Sequence, residues 1–163
     1  MFSDEIINLA TSVLEQCRNR KIHVSTAESC TGGLIVGALT EIAGSSDVVD
    51  RGFITYTNRA KMEMLGVSNG ILKIDGAVSK ETALAMVEGA IKNSSANIAV
   101  SVTGIAGPGG GSEQKPVGLV HMAAIKRGDN PIHQEHRFGD IGRDKVREAT
   151  VIAALNLLTK VID

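Results

Sequence analysis

The chain has no tryptophan, one tyrosine and three phenylalanines. It cannot clamp a planar ligand between several aromatic rings, so recognition of one has to rest on backbone and hydroxyl hydrogen bonds. Cysteine is equally scarce: Cys17 and Cys30 show neither CxxC nor zinc-type spacing and read as reduced thiols. No run approaches the roughly 18 apolar residues of a spanning helix. The opening Met1-Phe-Ser-Asp-Glu5 is acidic, unlike a secretory leader, so a cytosolic (cytoplasmic) protein with no membrane partner is expected. Neither charge sign is in excess: 17 Lys and Arg stand against 18 Asp and Glu, a formal net charge of -1. That balance gives no basic footprint for nucleic acid. His133 and His136 lie three apart in a predicted strand without a third ligand nearby. They read as exposed polar residues, and no metal is expected. What the chain does have is 43% hydrophobic and 21% charged residues over 163 positions. That suffices for one compact domain spanning 1–163, and hence for one site.

The apolar spacing divides the chain into alternating elements. Ser3 or Asp4 can cap a first helix running to about Arg20, with Ile6, Leu9, Ala10, Val13 and Cys17 on its apolar face. Ile22 to Thr26 reads as a strand and Leu34 to Ile42 as a helix. Phe53 to Thr57 reads as a second strand, followed by a short helix capped by Asn58 and stopped near Leu65-Gly66. Ser79 opens another helix, and Asn97 to Thr103 has the composition of a buried strand that discharges into the glycine-rich Gly104 to Ser112. Val117 to Ile125 and Ile132 to Phe138 form a hairpin around Gly128-Asp-Asn-Pro131. A last helix starts near Asp140, with Val146, Ala149, Ala153, Leu157 and Val161 turned inward. The expected fold class is α/β, a three-layer α/β/α sandwich whose mixed sheet includes the C-terminal hairpin.

In such folds ligands collect where strand ends pass into loops and helix N-termini. Two loops qualify, Glu28 to Gly33 and Thr103 to Ser112; both join hydroxyl residues to glycines that let backbone N–H groups approach an oxyanion or phosphate. Neither is a Walker A loop, and no GxGxxG opens the first helix. Ser29 is either a plain helix cap or a nucleophile. Gly32 rather than Glu or Gln stands three residues on, and Thr31 is free to do the capping, which weakens the first alternative. No histidine is near in sequence, so a lysine of lowered pKa is the candidate base. Lys61 falls in a first helical turn, where a cation is disfavoured by roughly 0.3–1 kcal/mol. Tyr56 stands close by, with a hydroxyl able to bind substrate, serine or lysine. Arg143 lies in the first turn of the last helix, where a bound phosphate would offset its charge; Arg147 shares its face, either as a second phosphate ligand or as a solvated cation, with Asp144 and Glu148 partly neutralising both. Cys30 is a rival nucleophile, because a helix N-terminus lowers a thiol pKa.

The string Thr26-Ala-Glu-Ser-Cys-Thr-Gly-Gly33 resembles the signature of the CinA C-terminal domain family. Ile42 to Ser46, Arg51 to Asn58, Gly76 to Ser79, Thr103 to Pro108 and Gly111 to Gly118 follow as matching blocks in the same order over nearly the whole chain. The resemblance implies hydrolysis of the carboxamide of nicotinamide mononucleotide to nicotinic acid mononucleotide and ammonia, in pyridine nucleotide salvage. It implies Ser29 as nucleophile and Lys61 as its activator, with Tyr56, Thr103 and Arg143 in the active site. Gly32, Gly33 and the Gly104 to Gly110 loop, including Ala106, Gly107 and Gly109, would be substrate-binding backbone. Glu28, Cys30 and Thr31 are expected to contact substrate with them, and N–H groups of the Thr31 to Gly33 turn to hold the oxyanion. No cofactor or metal, a small-molecule nucleotide partner and a homodimer are implied as well. Longer relatives carry a molybdopterin-binding-like domain first, so this chain reads as the stand-alone form. The alternatives are a non-catalytic nucleotide-binding module linked to competence and DNA damage responses, or a Cys30-dependent amidase.

Overall fold

The computed structural model describes residues 1–163. Its elements in chain order are α1 (Asp4–Arg20), β1 (Val24–Glu28), α2 (Leu34–Thr40), a 3₁₀ turn (Ser45–Asp47), β2 (Val49–Ile54), α3 (Asn58–Leu65), α4 (Asn69–Ile74), α5 (Lys80–Lys92), β3 (Ile98–Gly104), β4 (Leu119–Lys126), β5 (Ile132–Arg137) and α6 (Arg143–Ile162). The strands form one sheet in the order β2-β1-β3-β4-β5. β2, β1 and β3 run parallel, and the β4–β5 hairpin adds antiparallel to β3. The architecture is therefore the expected mixed α/β sandwich, and no helix is long and apolar enough to cross a membrane.

Alternation along the strands separates two cores. Val24, Ile98, Val100, Val102, Val120 and Met122 face α1, α2 and α6 in the larger one. The opposite face presents only small residues at its centre, Ala27, Ala99 and Ala123, against α5. Because that face is shallow, α5 lies close enough for Ser101 Oγ to donate to Ala83 O at 2.6 Å. α3 packs as tightly on α5 at Gly89, where any β-carbon would sit 2.8 Å from the Leu65 carbonyl carbon and 2.9 Å from Leu65 Cβ.

Several boundaries differ from the sequence reading. The first strand begins at Val24 rather than Ile22, because Lys21 takes a left-handed turn and Ile22 N–H closes α1 on Cys17 O. β2 lies earlier than Phe53 to Thr57; it is an edge strand, half-exposed and polar, so apolar composition does not mark it. Thr57, not Asn58, caps α3, its hydroxyl accepting from Ala60 N–H at 3.1 Å. α4 carries too short a pattern to be read at all. α6 starts at Arg143, three residues after Asp140, and is buried over a wider face than expected. Thr150, Val151, Ala154, Leu155 and Leu158 are buried, whereas Ala149 and Ala153 are only half-buried. Packing against both α1 and the sheet accounts for the width.

Candidate active site

The parallel strands β1, β2 and β3 end on the same edge, and the loops leaving them meet there. Ser29 follows the last residue of β1, tied down by its N–H donating to Val102 O at 3.1 Å. The chain then reverses through Gly32 and Gly33, whose φ values of 58° and 100° suit only glycine comfortably. Beneath this turn the fully buried Glu28 carboxylate accepts from Thr26 Oγ1 (3.1 Å), Thr31 Oγ1 (2.6 Å) and the N–H groups of Gly33 (3.1 Å), Ile35 (3.0 Å) and Val36 (2.8 Å). From α6, Arg147 donates to Cys30 O at 3.2 Å and Thr31 O at 3.1 Å.

Lys61 comes from the first turn of α3 and is almost wholly buried, at 1% exposure. Its Nζ donates to Thr55 O at 2.9 Å and lies 3.0 Å from Ser29 Oγ. Burial holds its pKa below the ordinary lysine range, since an ammonium loses hydration there. No carboxylate forms an ion pair with it. In its neutral form the amine would keep one N–H on Thr55 O and present its lone pair to the Ser29 hydroxyl, the geometry of an activated nucleophile.

Cys30 behaves oppositely to expectation. Burial, with the nearby Glu28 carboxylate, pushes its thiol up to about 12, outweighing its own backbone N–H and the neighbouring Arg147 and Lys61, which lower it. At neutral pH it is therefore held as the thiol, not the reactive thiolate.

A cavity of about 280 Å³ opens over Ser29 and Lys61. Of the residues singled out in the sequence, Cys30, Tyr56, Thr103, Gly104, Ala106, Gly107, Gly109 and Arg143 also line it, and no acidic side chain does. Arg143 spans the rim, donating to Gly107 O and to Tyr56 Oη, each at 2.8 Å. Thr103 contributes less chemistry than its place suggests, because its hydroxyl already donates to Ala77 O at 2.7 Å. Glu28, Thr31, Gly32 and Gly33 do not line the cavity; they lie behind the nucleophile. The N–H groups of Gly32 and Gly33 are taken by Ser29 O and Glu28, which corrects the expectation that these two donate to an oxyanion, and Thr31, the third residue of that turn, does not line the cavity. Cys30 and Ala106 belong to the cavity lining and their backbone N–H groups donate to no other residue, although that of Cys30 lies against its own thiol.

Other corrections concern charged and imidazole side chains. Half-buried Arg147 clamps the loop through Cys30 O and Thr31 O and does not line the cavity with Arg143, and Glu148 pairs with Lys145 at 2.8 Å instead. His133 is half-buried and its Nε2 lies 2.9 Å from His121 Nδ1. No group of three His, Cys, Asp or Glu residues is placed to share an ion. The sequence reading missed Asn58, Ala77 and Val78 in the lining, whereas Ile105 and Gly110 belong to the Gly104 to Gly110 loop it had singled out. Asn58 was masked by its resemblance to a cap, and Ala77 and Val78 carry no polar signal. A larger open groove of about 550 Å³ adjoins at Gly109 and Gly110 but contains neither nucleophile nor base.

Residues 6–162 match the CinA C-terminal domain. A nicotinamide-nucleotide amidohydrolase PncC from Escherichia coli K12 is 45% identical over 159 residues, covering 97% of this chain and 95% of that one. A putative competence-damage inducible protein from Caldicellulosiruptor bescii is 57% identical over 88% of this chain, but the match covers 34% of the relative. The chain thus spans about a third of the length of the first curated relatives it matches. The crystal structure of the competence/damage inducible protein CihA from Agrobacterium tumefaciens superposes with a TM-score of 0.97 at 59% identity, over 98% of this chain and 97% of that one.

Proposed function

The chain belongs to the CinA C-terminal domain family, and on that premise we propose that it is an amidase. It hydrolyses the carboxamide of nicotinamide mononucleotide to nicotinic acid mononucleotide and ammonia. One observation carries the reading: a buried serine hydroxyl 3.0 Å from a buried lysine amine that no carboxylate neutralises. The full-length likeness to a PncC amidohydrolase supplies the substrate class.

In the proposed cycle neutral Lys61 takes the Ser29 Oγ proton as Oγ attacks the carboxamide carbon. The carbonyl oxygen becomes an oxyanion, held by the N–H groups of Cys30 and Ala106. Lys61, now an ammonium, returns the proton to the amide nitrogen, the C–N bond breaks and ammonia leaves. Water then attacks the acyl ester, giving its proton to Lys61, and Ser29 Oγ departs with that proton. Arg143 and the glycine loop from Gly104 to Gly110 receive the 5′-phosphate, in a cavity without competing anions. Tyr56 places the substrate beside them. The reading includes salvage of pyridine nucleotides as its context and, as the family resemblance implies, a homodimer, which sedimentation checks.

The test is ammonia release from nicotinamide mononucleotide by wild type, Ser29→Ala, Lys61→Ala and Cys30→Ala. The expected result is turnover by wild type and Cys30→Ala, and loss of about 10²-fold or more in the other two. Turnover surviving in Ser29→Ala sinks the serine mechanism, and loss in Cys30→Ala alone transfers the role to the thiol. A wild type that binds the nucleotide without releasing ammonia indicates a binding module.

A further inference from the structure

Glu28 precedes the nucleophile in sequence and lies behind it in space. A buried carboxylate needs matched donors to remain charged, and this one takes five. Three are backbone N–H groups at the start of α2, where the residue before the helix, Gly33, has no side chain to cap them. Arg147 answers from α6 with the opposite charge, drawing in the carbonyls of Cys30 and Thr31. Neither residue has a salt-bridge partner elsewhere. The peptide carrying Ser29 is thus held between an anion that collects its downstream N–H groups and a cation that collects its carbonyls. The same anchor reaches the base. The carbonyl of Glu28 accepts from Thr55 N–H at 2.8 Å, and the carbonyl of Thr55 accepts from Lys61 Nζ at 2.9 Å.

We propose that Glu28 and Arg147 are positioning residues: without touching substrate, they hold Ser29 Oγ within reach of Lys61. The turnover part of the inference rests on the amidase reading above; the geometric part does not. A side chain that merely capped α2 would affect stability and leave the folded enzyme's kcat alone. A positioning side chain lowers kcat while the cavity, and so KM, stays nearly intact.

Glu28→Gln presents an amide N–H₂ to a ring of donors, and Thr31→Val removes the 2.6 Å bond while keeping the charge. Arg147→Met removes the opposing clamp. For each, kcat and KM are measured well below the melting temperature, and a crystal structure gives the Ser29 Oγ to Lys61 Nζ distance. A misplacement near 1 Å predicts a kcat loss of about 100-fold for Glu28→Gln, with KM within about twofold and a separation beyond about 3.5 Å. Thr31→Val should fall between it and wild type. A lowered melting temperature with wild-type kcat and an unchanged separation overturns the proposal. If Glu28→Gln does not fold, wild-type kcat in Thr31→Val overturns it alone. If the wild type releases no ammonia, the amidase reading has failed, and the separation measured in the variants still decides the positioning role.

Discussion

Replacing Gly89 by alanine sets helix propensity against packing, and the two predict opposite signs. Gly89 lies inside α5, where glycine costs about 1 kcal/mol relative to alanine, so propensity alone makes the substitution stabilising. The added β-carbon, however, would stand 2.8 Å from Leu65 C and 2.9 Å from Leu65 Cβ. Ordinary carbon contacts lie near 3.5–4.0 Å, so the end of α3 must withdraw by about 1 Å. What it meets first is the backbone carbonyl of Leu65, its oxygen nearest of all, and a backbone carbonyl has no rotamer to yield. Overpacking of this kind costs about 1–3 kcal/mol; less the roughly 1 kcal/mol gained in propensity, the net loss is up to about 2 kcal/mol, and at about 2–4 °C per kcal/mol for a chain of this size the melting temperature should fall by up to about 8 °C. Lys61 stands one helical turn before Leu65, so the displacement is carried to its amine, and kcat should fall by up to about 100-fold. Calorimetry gives the first quantity and ammonia release the second. A melting temperature above wild type would refute the close approach of α3 and α5, and reduced stability with unchanged kcat would refute its transmission to Lys61.

The acidic limb of kcat/KM should report Lys61. The reactive form is the neutral amine and burial lowers its pKa, so activity falls as pH drops through that folded-state pKa and is retained well below the usual lysine range near 10.4; an activity that rises only above pH 10 contradicts it. Iodoacetamide should leave activity intact at neutral pH, because the Cys30 thiol is pushed up to about 12 and thiolate is the reacting form; inactivation that nucleotide protects against is the contrary result. Arg143→Ala removes the bonds to Tyr56 Oη and Gly107 O and should raise KM by about tenfold or more with a smaller change in kcat, as loss of a charged hydrogen bond predicts. Steady-state kinetics with an unchanged KM would remove Arg143 from substrate binding.

The helices other than α4 and the buried strand β3 were legible because their apolar residues repeat at helical spacing or run uninterrupted. β2 was not, because an edge strand carrying Asp50, Arg51 and Gly52 has little apolar surface to display. In the site, the Ser29 loop was legible from its hydroxyls and glycines, and Lys61 from its place in a helical first turn. The roles of Glu28 and Arg147 were hidden because most of their partners are backbone groups, which every residue carries and no pattern marks. The Arg143 to Tyr56 contact joins residues 87 positions apart, and only the fold brings them together. The sign of the Cys30 shift was misjudged because helix position is visible in a sequence whereas depth of burial is not.

Lys61 is the largest side chain fully enclosed in the protein, and it is an amine without a counterion. Enclosing such a group works against folding, so a variant library screened for heat resistance alone should accumulate apolar residues of similar length at position 61 and discard the lysine early. A library screened for turnover should keep it and gather its compensations elsewhere. The divergence of the two pools at this one position would record how much folding stability the chain forgoes in order to react.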